Sequence, residues 1–174
     1  MTKTLLFLTL LSSSVFCEEM IIGEEKIFPG IDLVFEAAPK DEIFPKEYYP
    51  SKPSSDLHIE LLATWSKDNE AGFQAGGFVP YLDIDLQITG KNGSSKIYRL
   101  TPHINLKDSL HYAQNIKLPA DPNESYKVRF KISPPSGEEL GIHKDWKLNF
   151  NNFIKPHVFE YEDLDFKKII SATR

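Results

Sequence analysis

Cysteine is nearly absent: Cys17 is the only one in the 174 residues, so no disulfide can form within one chain and stability has to come from a packed core. An exported domain without disulfides fits a bacterial envelope better than an animal secretome. Positive charge is also in deficit, with a formal net charge of −5, and this argues against nucleic acid or an anionic membrane as partner. Motifs for group-transfer chemistry are missing. There is no HExxH, no glycine-rich phosphate loop and no nucleophile with an adjacent base, which leaves hydrolase or transferase activity without a foundation. No segment has a convincing helical period, and no internal repeat occurs.

What is present begins with a leader. Met1 to Cys17 carries Lys3, the apolar run Leu5 to Leu11, three serines and then Val15-Phe16-Cys17. This is the layout of a secretory signal peptide, since the run is too short to span a bilayer as a stable helix. Two readings of Cys17 stay open. Cleavage after it gives a soluble chain starting at Glu18, whereas lipidation of Cys17 gives a lipoprotein anchored in the bacterial envelope. Residues 18–174 are expected to form a single domain in the periplasm.

Residues 18–56 are rich in proline (Pro29, Pro39, Pro45, Pro50, Pro53) around one apolar stretch, Ile31 to Phe35. They read as an irregular strap with one strand. After Asp56 the pattern alternates. Tyr81 to Ile88 puts apolar residues on one face and Asp83 and Asp85 on the other, and Tyr126 to Ile132 does the same with Lys127, Arg129 and Lys131. Both polar rows are read as solvated faces. Further strands are expected over His58–Thr64, Lys96–Leu100, Asn115–Leu118 and His157–Leu164, with turns at Asn92-Gly93, Asp121-Pro122 and Pro134-Pro135-Ser136-Gly137. Such strands describe an all-β, antiparallel immunoglobulin-like sandwich. The tail from Lys167 is expected to fray.

The five histidines are the candidate chemistry. His58 and Glu60, two apart on a strand, project from one face where imidazole and carboxylate can share an ion. His111 follows a short polar passage and His143 follows the Pro-Pro-Ser-Gly turn. Loop histidines near strand ends are well placed for a metal, although each taken alone reads more simply as a surface residue. His157 is read as structural or exposed, and Trp65 and Trp146 as packing residues.

In order, His58-Ile59-Glu60, Gly77-Phe78-Val79-Pro80-Tyr81-Leu82, Asp108-Ser109-Leu110-His111-Tyr112 with Asn115 and Lys117, and His143-Lys144-Asp145 resemble the bacterial periplasmic high-affinity iron-transport proteins. These are copper- and iron-binding partners of an inner-membrane iron permease, with a treponemal metal-binding lipoprotein among their relatives. The resemblance spans roughly residues 56–165. It implies that His58, Glu60, His111 and His143 are metal ligands. The family's methionine ligand falls on Ile104 in a gapless alignment, and Ile104 cannot ligate; a shift of one residue puts His103 there. Successive strand residues face opposite ways, so either a bulge turns His103 inward or that ligand is missing. With imidazole in place of a thioether, the site is expected to suit Cu(II), Zn(II) or Fe(II) better than Cu(I). Leu110 and Ala113 depart from the family pattern around His111 and leave the role of Asp108 open.

The resemblance implies a protein that binds iron, copper or both and hands iron to the permease, and a homodimer with metal sites near its interface. Two alternatives from other classes stand beside it: a copper-dependent, ferroxidase-like enzyme, and a surface lipoprotein that holds a host ligand. Because binding needs neutral imidazoles, affinity is expected to fall as pH drops through roughly 6.5.

Overall fold

The computed structural model describes residues 19–172. The leader, Cys17 with both of its readings, and the last two residues lie outside the described residues. Eight strands follow one another: β1 (Met20–Ile27), β2 (Ile31–Pro39), β3 (Leu57–Trp65), β4 (Asp83–Gly90), β5 (Ser95–Asn105), β6 (Ser109–Ile116), β7 (Ser125–Ser133) and β8 (His157–Asp165). They form one sheet in the order β1-β2-β3-β6-β5-β4-β7-β8, and every neighbouring pair is antiparallel. The all-β, antiparallel expectation holds.

β5 joins the two halves of this sheet. Its first part, Ser95 to Leu100, pairs with β4, and its second part, Thr101 to Asn105, pairs with β6. Pro102 stands just past the switch, where the strand has a partner on one side only and a missing backbone N–H costs least. The halves turn their apolar faces toward each other. Leu33, Phe35, Ile59 and Leu61 from one side, and Ile84, Leu86, Val128 and Phe130 from the other, are wholly buried. Phe35 sits at the centre, with ring centroids 4.4 Å from Phe130, 5.5 Å from Phe159 and 5.6 Å from Tyr161.

The sheet nearly closes where β1 meets β8. Gly23 lies against Tyr161 so tightly that a Cβ there would come within 2.3 Å of the ring, and the Tyr161 hydroxyl donates to Glu25 Oε1 at 3.4 Å. Outside the barrel-like core, the basic row of β7 meets acids across the ladder: Lys127 pairs with Glu160 and Glu162, and Arg129 with Glu160. These are exposed pairs of small individual worth, and they suit the solvated face expected of them.

Two expectations are corrected. β1 replaces part of the irregular strap; Glu24, Glu25 and Lys26 broke its alternation because it is an edge strand, where charges discourage pairing with other chains. Two short helices occur as well, α1 (Lys144–Phe150) and α2 (Lys167–Ser171), the second in the tail expected to fray. α2 is held by Ile169, 3% exposed, and Phe166, fully buried. Too short for a readable period, both helices depend on tertiary packing. Residues 40–56 carry only a 3₁₀ turn, Lys52–Ser54, and cross the outer face of β3 and β6.

Candidate metal centre

The strand registers put the polar residues of three strands on one outer face. His58 lies opposite Asn115, Glu60 opposite Ala113, Ala113 opposite Thr101, and His103 opposite His111. Cross-strand partners and residues two apart share a face, so His58, Glu60, His103 and His111 all project the same way. No bulge is needed for His103. Ile104 points to the other face and is 75% exposed, while His111 lies on β6 and not in the loop before it.

One ligand atom from each of His58, His103 and His111 falls within 4.8 Å of the others. Two nitrogens bound at about 2.0–2.1 Å to one ion lie at most about 4 Å apart, so small side-chain adjustments bring the three rings onto a common cation. Glu60 is fully buried beside them. Its Oε1 lies 3.6 Å from His58 Nε2 and its Oε2 4.0 Å from His111 Nε2. Both distances are too long for hydrogen bonds and suit groups that converge on a shared partner.

The outer nitrogens of two rings are already engaged. His111 Nδ1 is 3.1 Å from the Ser109 carbonyl, which only accepts, so this nitrogen carries the proton and Nε2 keeps its lone pair. His58 Nδ1 is 3.0 Å from Asn115 Oδ1. Groups that orient metal-binding histidines in this way are characteristic of metal sites. Burial, with a smaller effect of His111, pushes the His103 ring down to about 4, so it is a neutral donor well below ordinary histidine pH.

The strap roofs the site. Asp41, Phe44 and Tyr49 enclose with the three histidines a cavity of about 310 Å³. The Tyr49 ring meets His103 edge-on at 5.0 Å.

A second cluster adjoins the first. Ligand oxygens of Glu19, Glu60 and Asp108 lie within 4.8 Å of one another, so Glu60 belongs to both groups. Asp108 sits in the tight β5–β6 turn, where Asn105 Oδ1 accepts from the backbone N–H groups of Lys107 and Asp108 and Asn105 Nδ2 donates to Asp108 Oδ2. Lys107 forms an ion pair with Glu19. Sequence reasoning left the role of Asp108 open and passed over Glu19 entirely; Asp108 stands three residues before His111, but nothing local marks Glu19.

His143 does not join these residues. It is exposed at the N-terminal cap of α1, which is packed through Trp146 against Phe73, itself stacked on Trp65. Trp65 ends β3 seven residues after His58, about 23 Å along a strand. His157 is half-buried and stacks on Phe159. The Pro-Tyr-Leu segment proves architectural: the Tyr112 hydroxyl accepts from the Leu82 N–H at 2.9 Å and donates to the Val79 carbonyl at 2.8 Å.

A nearly closed antiparallel sheet with histidines and carboxylates gathered beneath a strap defines a class of small β proteins with a candidate metal centre. The chain belongs to the Fe2+ transport protein family, whose model matches residues 16–168. It is 30% identical over 149 residues to a UPF0423 protein of Brucella abortus, covering 83% of this chain and 80% of that protein. It is 33% identical over 122 residues to the 34 kDa membrane antigen of Treponema pallidum, covering 68% of this chain and 59% of the antigen. Among solved structures, FetP of uropathogenic Escherichia coli strain F11 matches at 25% identity with a TM-score of 0.67, over 84% of this chain and 95% of FetP. A copper-bound variant of Campylobacter jejuni P19 matches at 24% identity with a TM-score of 0.69, over 84% and 96% of the two chains, and shares the fold. No helix among the described residues is long and apolar enough to cross a membrane.

Proposed function

We infer that this protein binds copper and iron outside the cytoplasm and delivers iron to an inner-membrane permease. The observation that carries this reading is the convergence of His58, His103 and His111 with buried Glu60. The donor set fits a divalent transition ion, with copper favoured by the usual affinity order and zinc able to compete. Bound there, copper supplies one-electron redox capacity. The chain's own residues hold it: two rings oriented from behind by Asn115 and Ser109, a third ring kept neutral by burial, and a carboxylate shared with the acidic cluster.

Glu19, Glu60 and Asp108 offer the hard oxygen donors that suit iron as cargo. Sharing Glu60 places the two clusters side by side, and this favours a second reading in which copper assists iron oxidation. The family match and the copper-bound P19 variant support the metals named. Localisation in the periplasm, with or without a lipid at Cys17, follows from the leader. The chain works as a homodimer, as the resemblance implies, and the exposed Ile142 and Leu148 around α1 leave apolar surface available for contact.

The test is growth under iron limitation of a strain carrying this protein with its permease. Wild type restores growth, and His58→Ala and Asp108→Asn do not. Full restoration by both variants refutes delivery through this site. Light scattering of the processed protein checks the dimer, and a monomer at micromolar concentration refutes it.

A further inference from the structure

Asn115 is fully buried and uses every hydrogen-bonding capacity it has. Its Nδ2 donates to the Asp41 carbonyl at 2.7 Å and to the Pro50 carbonyl at 3.0 Å. Its Oδ1 accepts from the Asp41 backbone N–H at 3.3 Å and faces His58 Nδ1 at 3.0 Å. Both carbonyls can only accept, so the amide cannot be turned round without facing its oxygen at two other oxygens. The orientation of the amide then decides the proton on His58: Nδ1 carries it and donates, and Nε2 presents a lone pair toward Glu60 and the other rings.

Three of these four contacts, two to Asp41 and one to Pro50, tie down the roof. Asp41 and Pro50 bracket the stretch that carries Phe44 and Tyr49 over the cavity, and one side chain clasps both ends. A single residue therefore touches the strap with its donors and the metal-facing histidine with its acceptor.

We propose that Asn115 is a positioning residue that couples closure of the 41–50 strap to the metal-ready tautomer of His58. The proposal rests on the metal-binding reading above. Coupling of this kind is reciprocal: metal at His58 steadies the strap, and a steadied strap tightens metal.

Two variants separate the acceptor from the donors. Asn115→Asp keeps an oxygen for His58 and the Asp41 N–H but removes both donors; Asn115→Ala removes everything. Three readouts are taken: imidazole nitrogen shifts of His58 in metal-free protein, protease cleavage within 41–50, and Cu(II) titration. In Asn115→Ala, His58 populates both tautomers, the strap is cut faster, and Cu(II) affinity drops about 10–100-fold, as for other residues that orient metal-binding histidines. In Asn115→Asp the strap is cut faster while His58 keeps its Nδ1 proton, and copper affinity stays above that of Asn115→Ala.

A single His58 tautomer in Asn115→Ala overturns the proposal, as does equal copper loss in the two variants. Should Asn115→Ala fail to fold, Asn115→Asp decides: loss of the His58 Nδ1 proton overturns the proposal, and its retention with a loosened strap supports it. Wild-type protein that takes up no copper refutes the metal reading instead, and the tautomer measurement still tests the Asn115–His58 contact by itself.

Discussion

Burial, with His111 facing it across the β5–β6 pair, keeps the His103 ring neutral down to about 4. The fall in affinity through 6.5 expected for ordinary histidine therefore does not apply to this candidate ligand. A nuclear magnetic resonance titration of the metal-free protein should find His103 titrating well below 6.5, and a midpoint at 6.5 would contradict its burial. Its imidazole also sets the preference for oxidation state. His103→Met, which offers a thioether, should raise affinity for Cu(I) relative to Cu(II), read by competition with chromophoric chelators for each ion. An unchanged ratio would remove His103 from the coordination sphere.

Among the elements, β1 and β8 meet with no room to spare. Gly23→Ala drives a methyl group into the Tyr161 ring and should destabilise the fold by about 1–3 kcal/mol, the usual cost of overpacking. Urea unfolding measures this, and Tyr161→Leu should relieve most of the penalty; no loss in Gly23→Ala would mean that the ring moves aside freely. β3 and β6 show what could be read in advance. Alternation in β4 and β7 was plain because each buries one face and wets the other. The strand expected over Asn115–Leu118 overlaps β6 only at its last two residues, because Leu110 and Gln114 blur the pattern of Ser109–Ile116, and β3 reads as a half-wet strand although the strap covers its polar face. Leu57 to Leu61 is buried on both sides, and no local signal in residues 40–56 announces that burial.

At the scale of the whole molecule, acid should loosen the metal-free protein. His103 and His157 are both lowered by burial. As pH falls below 6.5 the unfolded chain binds protons that the folded chain refuses, so stability drops, and for His103 the drop is complete near 4. Urea midpoints measured between pH 7 and 4 should fall steadily, and a flat profile contradicts the protonation states assigned. The candidate ligand set is legible in part. His58 and Glu60 follow from strand spacing, whereas His103 opposite His111 depends on a register that one sequence does not print, and Glu19 comes near the site because β1 pairs with β2 and β2 with β3. The distance of His143 from the other rings depends on α1, which is too short to declare itself.

The proposed function stands on three rings and one carboxylate from β3, β5 and β6 making one metal centre. Electron paramagnetic resonance of Cu(II) titrated into the protein tests it most directly. One ion per chain with hyperfine structure from several imidazole nitrogens is predicted, and His58→Ala and His111→Ala should each weaken binding by more than about 100-fold, beyond the 10–100-fold typical of groups outside the coordination sphere. Copper bound with the same spectrum and affinity in both variants would contradict it.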